Sequence, residues 1–457
     1  MKNHVMSFMI LSVLIAGLEC RGQPGSKGPP AESGQAIVLR LSLKEALDLA
    51  LGAEGNARVR IAAEGVHQAR SRSAQARSAL LPNVEASLSD SDRTQNLRAF
   101  GLQFDLPVPG FAFPKLVGPF TVLDARAAAS QTVFDLSSIR RYQASRAGVE
   151  QASAENENVQ DQIRDQVARA YLAALRADAA LDTARANLKL AEELLELARR
   201  MQKAGSATGI EVTRARVQLA NEKQRALVAE NGRTRAQLQL LKSIGMDLAA
   251  TVELTQKLEF LPVTVASLEE AIKLALESRC DWKAQVKREE AARLNKSAVK
   301  WERLPSASVF ADYGSIGSGF NDAIPTRTYG IAVRIPIFDG GRRDARRAES
   351  TSQLLQERLR TQDLRDQIEL EVRTALDSLQ SAADQVRTAE EGVALAEGEL
   401  EQAQRRYAAG VGSSIEATDA QTRLQRARDN RIAALFNYNL ARIELGTATG
   451  TIRLMIQ

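Results

Sequence analysis

Hydrophobic and polar positions in this chain follow two periods in turn, and the whole sequence of changes occurs twice. From Ser42 the apolar residues Leu43, Ala46 and Leu47 recur at helical spacing, and the pattern continues to Leu81-Pro82. Its start, Ser42-Leu43-Lys44-Glu45, is a capping box in which a hydroxyl precedes a carboxylate by three residues. A counterpart, Ser267-Leu268-Glu269-Glu270, opens a helical pattern that ends at Leu304-Pro305. In both places one unbroken helix of about 35 residues is expected, stopped by a proline that lacks a donor.

After each proline the period falls to two. Val84, Ala86 and Leu88 alternate with Glu85, Ser87 and Ser89; Ala307, Val309, Ala311 and Tyr313 alternate with Ser306, Ser308 and Asp312. Returning strands follow a polar loop. The clearer one sets Tyr329, Ile331, Val333, Ile335 and Ile337 against Thr328, Gly330, Ala332 and Arg334, and the weaker sets Ala125, Ala127, Ala129 and Val133 against Asp124, Arg126, Ser130 and Thr132. The pattern predicts strand hairpins at 83–135 and 306–339, each with one face too apolar for water.

Both hairpins close on Phe-Asp, at Phe134-Asp135 and Phe338-Asp339. From Ser137 to Lys203 and from Gly340 to Ala409 there is no proline and the pattern stays helical, which makes rods of roughly 100 Å. Small residues such as Ala168, Ala174 and Ala177 allow close helix packing. The rods stop at Gly205 and Gly410, and further helices return to Gly245 and Gly446. Ala409-Gly410, Ile415-Glu416, Ala420 and Leu424 repeat Ala204-Gly205, Ile210-Glu211, Ala215 and Leu219 at one constant offset. An internal duplication follows, with one unit at 42–261 and the second at 262–457.

Ahead of the first unit, Lys2 precedes an apolar run from Val5 to Leu18, too short to span a bilayer and suited to a signal peptide over 1–20. Cys20 is a candidate for lipidation, although Gly17 and Glu19 depart from the usual Leu-x-small-Cys pattern. Residues 21–41 read as a flexible leader, rich in Gly, Pro and Ser up to Gly34.

Composition narrows the function classes. Lys and Arg number 61 against 56 Asp and Glu, interspersed, and no basic stripe carries stacking aromatics, so nucleic acid is excluded as a partner. The two histidines, His4 and His67, and the two cysteines, Cys20 and Cys280, supply neither a triad nor a multi-ligand metal site, so the expectation is no enzyme, no metal and no cofactor. Eleven of the 20 aromatic residues lie in Phe100–Phe134 and Phe310–Phe338, as expected where strands cross a membrane interface. Four strands cannot close a barrel, and an open edge in lipid leaves unsatisfied backbone groups, so three copies supplying twelve strands are expected. A coiled-coil scaffold of the periplasm or cytoplasm, without a pore, is the other reading; it has no use for the two apolar hairpins.

The exported leader, the duplicated order of elements, the tip Arg406-Tyr407-x-x-Gly410-x-x-x-x-Ile415-Glu416-x-x-Asp419-Ala420-Gln421 and the junction Ile335-Pro336-Ile337-Phe338-Asp339-Gly340-Gly341 resemble the TolC family of outer-membrane efflux proteins. The resemblance covers Leu41 to about Gly450. It implies a mostly helical, mixed α/β chain forming a homotrimer: a 12-strand β-barrel in outer-membrane lipid, continued by a long α-helical barrel through the periplasm. The implied work is passive export of small molecules or secreted proteins delivered by an inner-membrane transporter, with a periplasmic adaptor docking at the tips around Gly205, Gly410 and Gly412. Glu416 and Asp419 match acidic rings of a periplasmic gate, and Tyr407 and Glu211 match a latch. An arginine that shares that latch in the family is replaced here by Gly412. Two readings stand beside these: carboxylates in a helix's first turn are stabilised by its dipole without any gate, and Tyr407 can serve as a packing residue.

Overall fold

A computed structural model describes residues 38–52, 55–101, 114–205, 207–263 and 267–455. The signal segment, Cys20 and most of the leader lie outside the described residues, as do Phe104, Phe111 and Phe113 of the first aromatic cluster.

The last four residues assigned to the leader are ordered: Val38–Leu41 is strand β1. α1 (Leu43–Leu51) follows, then α2 (Ala57–Ser78), β2 (Asn83–Asn96), β3 (Leu116–Phe134), α3 (Leu136–Lys203) and α4 (Gly209–Ile244). β4 (Thr251–Leu254) begins the link to the second unit, which runs α5 (Leu268–Ser278), α6 (Cys280–Trp301), β5 (Ser306–Gly317), β6 (Ile324–Arg334), α7 (Arg342–Ala408), α8 (Ser414–Ala448) and the short α9 (Ile452–Met455). Both capping boxes form, with Ser42 and Ser267 each accepting from the backbone three residues on while the glutamate side chain returns the bond.

The expected single helices before the hairpins are each two helices. The first breaks between Leu51 and Ala57, where Asn56 caps α2 by accepting from Arg58 N at 2.9 Å and donates from Nδ2 to Ser243 O at 3.0 Å. The second breaks at Arg279, an extended residue whose guanidinium donates to Glu371 on α7 at 2.5 Å and to the Ala448 carbonyl at 3.2 Å. Helical periodicity continues across both breaks, so the pattern alone reads as continuous. The second returning strand also ends early, at Arg334, because Pro336 has no donor to extend the ladder; Ile335, Ile337 and Phe338 stand exposed beyond it.

β1 and β4 form a parallel pair, with Leu41 opposite Leu254, that ties the start of the first unit to its end. This pair and α1 pack on the middle of α3, where Ile163, Val167 and Tyr171 are fully buried and Tyr171 Oη donates to Leu41 O at 3.0 Å. α5 packs in the same way on the middle of α7, against Val372 and Leu379. Each long helix is thus covered by shorter ones: α3 by α2 and α6 toward the strands and by α4 and α8 toward the tips.

The four hairpin strands make one antiparallel sheet in the order β2-β3-β5-β6, leaving β2 and β6 as open edges. Its two faces differ in chemistry. On one, neighbouring rows read Ser89, Asp124, Ile316; Ser87, Arg126, Gly314, Thr326; and Glu85, Ala128, Asp312, Thr328. The other face has rows such as Val84, Ala129, Ala311, Tyr329, with Ile331 and Val333 beyond, and is mostly apolar, its charged residues Asp90, Asp92 and Arg327 lying toward the hairpin turns. A sheet that alternates apolar-out and polar-in suits lipid on one side and water on the other.

Candidate functional site

The tips are built by the same local chemistry twice. α3 and α7 each end in a glycine at positive φ, Gly205 at 76° and Gly410 at 73°, a conformation that costs other residues a Cβ clash. At the second tip Gly410 N donates to Tyr407 O at 3.0 Å, while Val411 N and Gly412 N both donate to Arg406 O at 3.1 Å, so three N–H groups of the turn serve two of the helix's last carbonyls. At the first tip the equivalent bonds run from Gly205 to Gln202 at 3.0 Å and from Ala207 to Met201 at 3.2 Å. Gly412 has a packing reason to be glycine: a Cβ there would come to 3.0 Å from Arg406 Cβ.

Side chains then distinguish the tips. Tyr407, buried at 4% exposure, donates from Oη to Glu211 Oε2 at 3.0 Å, joining the end of α7 to the start of α4. Burial, and after it the bond to Glu211, pushes the Tyr407 phenol up to about 12, so it stays a neutral donor at any physiological pH. Glu416 occupies the position in the second unit that Glu211 occupies in the first, and its Oε2 lies 3.4 Å from Arg406 Nε. Both glutamates are therefore served by the last turn of α7. Gly412 stands where the family places an arginine, and a cation is nonetheless close by in Arg406, which belongs to the tip motif but is given no role by the resemblance; a cation ten residues before an acid across a glycine turn is the signal for it.

Glu416 and Asp419 are both exposed, one turn apart on α8. The cap of α8 is Ser413, whose Oγ accepts from Glu416 N at 3.4 Å, so neither carboxylate is used as the capping group. Asp419 borders a groove of about 360 Å³ between α4 and α8, lined also by Ile210, Arg214, Val217 and Ile415. Deeper along this seam Glu222 is 1% exposed and Gln421 2%, and Glu222 Oε2 and both amide atoms of Gln421 have no hydrogen-bond partner among the described residues. Glu222 takes bonds of 2.8 Å from Gln218 and from Arg225 at its other oxygen, and burial raises its pKa.

The family model for outer membrane efflux proteins matches residues 49–246 and 271–451, one segment in each unit. The alkaline protease secretion protein AprF of Pseudomonas aeruginosa is 25% identical over 333 residues, which is 70% of this chain and 68% of AprF. The pyoverdine export outer membrane protein OpmQ of Pseudomonas putida is 27% identical over 406 residues, 85% of this chain and 82% of OpmQ. Among solved structures, the outer membrane protein VceC of Vibrio cholerae superposes with a TM-score of 0.76 at 19% identity, covering 89% of this chain and 96% of VceC. The MtrE outer membrane channel of Neisseria gonorrhoeae gives 0.74 at 17%, covering 93% and 94%. With one matched segment in each repeated unit, the chain belongs to the outer membrane efflux protein family, and it is an outer-membrane channel component of efflux or secretion with no enzymatic role.

Proposed function

We propose that three copies of this chain close into one duct, a twelve-strand barrel above a helical tube, and that a periplasmic adaptor and an inner-membrane transporter feed it from the tips. One observation carries this reading: the open edges are continuous from strand to tip. β2, α2 and α4 form one flank and β6 and α7 the other, and exposed large apolar side chains gather there, Ile61, Leu227 and Val228 on the first and Leu355, Leu359, Leu370 and Leu395 on the second. Joining β6 of one copy to β2 of the next satisfies the edge groups that lipid cannot. The same step brings α7 against α2 and α4.

Threefold symmetry turns Glu416 and Asp419 into two stacked acidic rings at the periplasmic mouth. Arg406 takes up part of the charge of Glu416, so Asp419 contributes the larger share of the field. The Tyr407–Glu211 bond latches the second hairpin to the first, and opening requires it to break. Exposed Ile210, Val411 and Ile415 beside Gly205, Gly410 and Gly412 offer an adaptor an apolar footing. The names of AprF and OpmQ point to a protein cargo and a small-molecule cargo respectively, which fits a duct whose transporter chooses what passes.

The test is mass and conductance together. Detergent-solubilised protein is expected at three times the 49.7 kDa chain less its leader, and to form channels in planar bilayers that divalent cations block from the tip side. Glu416→Gln with Asp419→Asn is expected to abolish the block and leave the trimer intact. A single chain with folded strands as the only species of the wild-type protein in mild detergent would sink the duct, and an unchanged block in the double variant would remove these residues from the gate.

A further inference from the structure

We infer that the seam between the two helical hairpins is loaded toward opening: unpartnered polar atoms buried on Glu222 and Gln421 push it apart, and a few side-chain bonds hold it shut. The inference rests on the duct and tip latch proposed above. Its starting point is the apolar packing of the tip half. The first hairpin has its own cluster in Leu195, Ala198 and Val212, and the second has Ala396, Leu400, Ala403, Ala420 and Leu424, which Leu190 of α3 reaches from across the seam. With separate cores, each hairpin keeps its packing while the seam between them parts.

Across the seam the side chains are polar. Gln421, Gln425 and Arg428 follow one another on α8 at spacings of four and three, so they share one face. Arg428 donates from Nη1 to Asn187 Oδ1 on α3 at 3.4 Å, and Gln425 accepts from Arg225 on α4, which marks that face as the one turned to the first hairpin. Gln421 lies one turn nearer the tip on it, buried, and neither its Oε1 nor its Nε2 has a partner among the described residues. On the α4 side Arg225 reaches from Gln425 back to Glu222 Oε1, at 2.8 Å, and leaves Glu222 Oε2 buried and without a partner. Polar atoms shut away in this manner are costly, and water bonds them as soon as the helices part, so all three favour the open form. Opposing them are the Tyr407–Glu211 bond at the tip and the Arg225–Gln425 bond roughly 20 Å further along α4. Such a seam stays closed while its ties hold and parts when they break.

A plain structural role for the same groups is registry: a polar residue buried between helices fixes which turn meets which. The two readings predict opposite signs. Taking away a registry device loosens the closed hairpins, whereas taking away the load tightens them.

The experiment reads distances between spin labels at Ala207 and Ser413 in full-length trimers, with labelled chains diluted by unlabelled ones so that each distance falls within one chain. An untied parent, Tyr407→Phe with Gln425→Ala, is expected to show a parted population beside the closed one. Adding Gln421→Met, which keeps the length of the side chain and removes its polar atoms, is expected to lower the parted-to-closed ratio on the order of tenfold. Glu222→Gln, which removes the charge and keeps an acceptor for Arg225, is expected to lower it less. An untied parent that remains wholly closed overturns the inference, since a loaded seam freed of its ties must part. So does a parted fraction that Gln421→Met leaves unchanged or raises, the second being the sign of registry. The latch is judged separately, by Tyr407→Phe alone against wild type: it fails if the two agree, whatever Gln421→Met does in the untied parent. The duct is judged by the mass of the wild-type complex.

Discussion

α3 and α7 are two copies of one long helix, 68 and 67 residues, and they face different surroundings. α3 is walled in by α2, α4, α6 and α8, and none of its large apolar side chains is exposed. α7 has α5, α6 and α8 against it and leaves four leucines bare, Leu395 at 76% exposure. The duplicated helix thus has two surroundings: one copy organises the chain, and the other keeps an apolar flank that, in the trimer proposed above, meets a neighbour. A fold built from two equal units gains an inside and an edge only through such divergence.

Breaking the organising copy has the largest expected effect. Tyr171 on α3 is fully buried with its hydroxyl bonded to Leu41 O, so Tyr171→Ala should cost about 3–5 kcal/mol through the cavity it leaves. Tyr171→Phe should cost only about 1 kcal/mol. Leu359→Ala on α7 should change the stability of the single chain by less than about 0.5 kcal/mol. Denaturant midpoints of the dissociated chain would check the ranking, and equal costs at Tyr171 and Leu359 would overturn the contrast between the helices.

The joining copy breaks in another way. Leu355→Arg with Leu359→Arg places two charges where a neighbour's apolar flank is expected, at a cost of several kcal/mol if they remain unpaired. The predicted result in size-resolved detergent complexes is loss of the trimer with helix content unchanged. A trimer that survives both arginines would place the contact on some other surface.

A smaller effect tests divergence between the second halves of the units. Glu222 is buried on α4, and the equivalent position on α8 is Ala427. Burial raises the Glu222 pKa, so the folded chain holds that proton more tightly than the unfolded one does. Its contribution is therefore favourable at low pH and is lost as pH rises through the folded value. Glu222→Gln should stabilise the hairpin at neutral pH by on the order of 1 kcal/mol, and the gain over wild type should shrink as pH falls through the carboxylate range. A gain that did not change with pH would assign the effect to packing.

Much of this division was written in the chain, and the part that was not is long-range. The hairpins, rods and tips were legible because each depends on a period or on a glycine or proline at one place. β1 and β4 were not, since four-residue strands have no period to speak of and their partners lie 213 residues apart. The breaks at Asn56 and Arg279 were hidden because each is settled by bonds to distant backbone, at Ser243 and Ala448. At the site, Tyr407 and Glu211 were named through resemblance and do meet, whereas Arg406, Glu222 and Gln421 gain meaning only once the helices are side by side.

The most local expected effect lies where the two units touch at the tips. The residue equivalent to Tyr407 in the first unit is Gln202, and the one equivalent to Arg406 is Met201, so both donors belong to the second tip while the two acceptors, Glu211 and Glu416, are shared between units. The asymmetry means that the one tie between the tips and the tie within the second tip both draw their donors from the end of α7. Tyr407→Phe removes one bond to a carboxylate, worth about 1–3 kcal/mol, and leaves the buried ring in place. Spin labels at Ala207 and Ser413 should then report a broader distance distribution between the tips, and Glu211→Gln, which keeps an acceptor oxygen, should broaden it less. Since the phenol is raised to about 12 in the fold and lies near 10 when unfolded, the bond's contribution is fully present below pH 10 and is lost as pH rises toward 12. Wild-type tips should accordingly give one distribution from pH 6 to about 9 as far as the phenol is concerned. Identical distributions in wild type and Tyr407→Phe would reduce the tyrosine to a packing residue and leave the Arg406–Glu416 pair as the remaining tie at the tip.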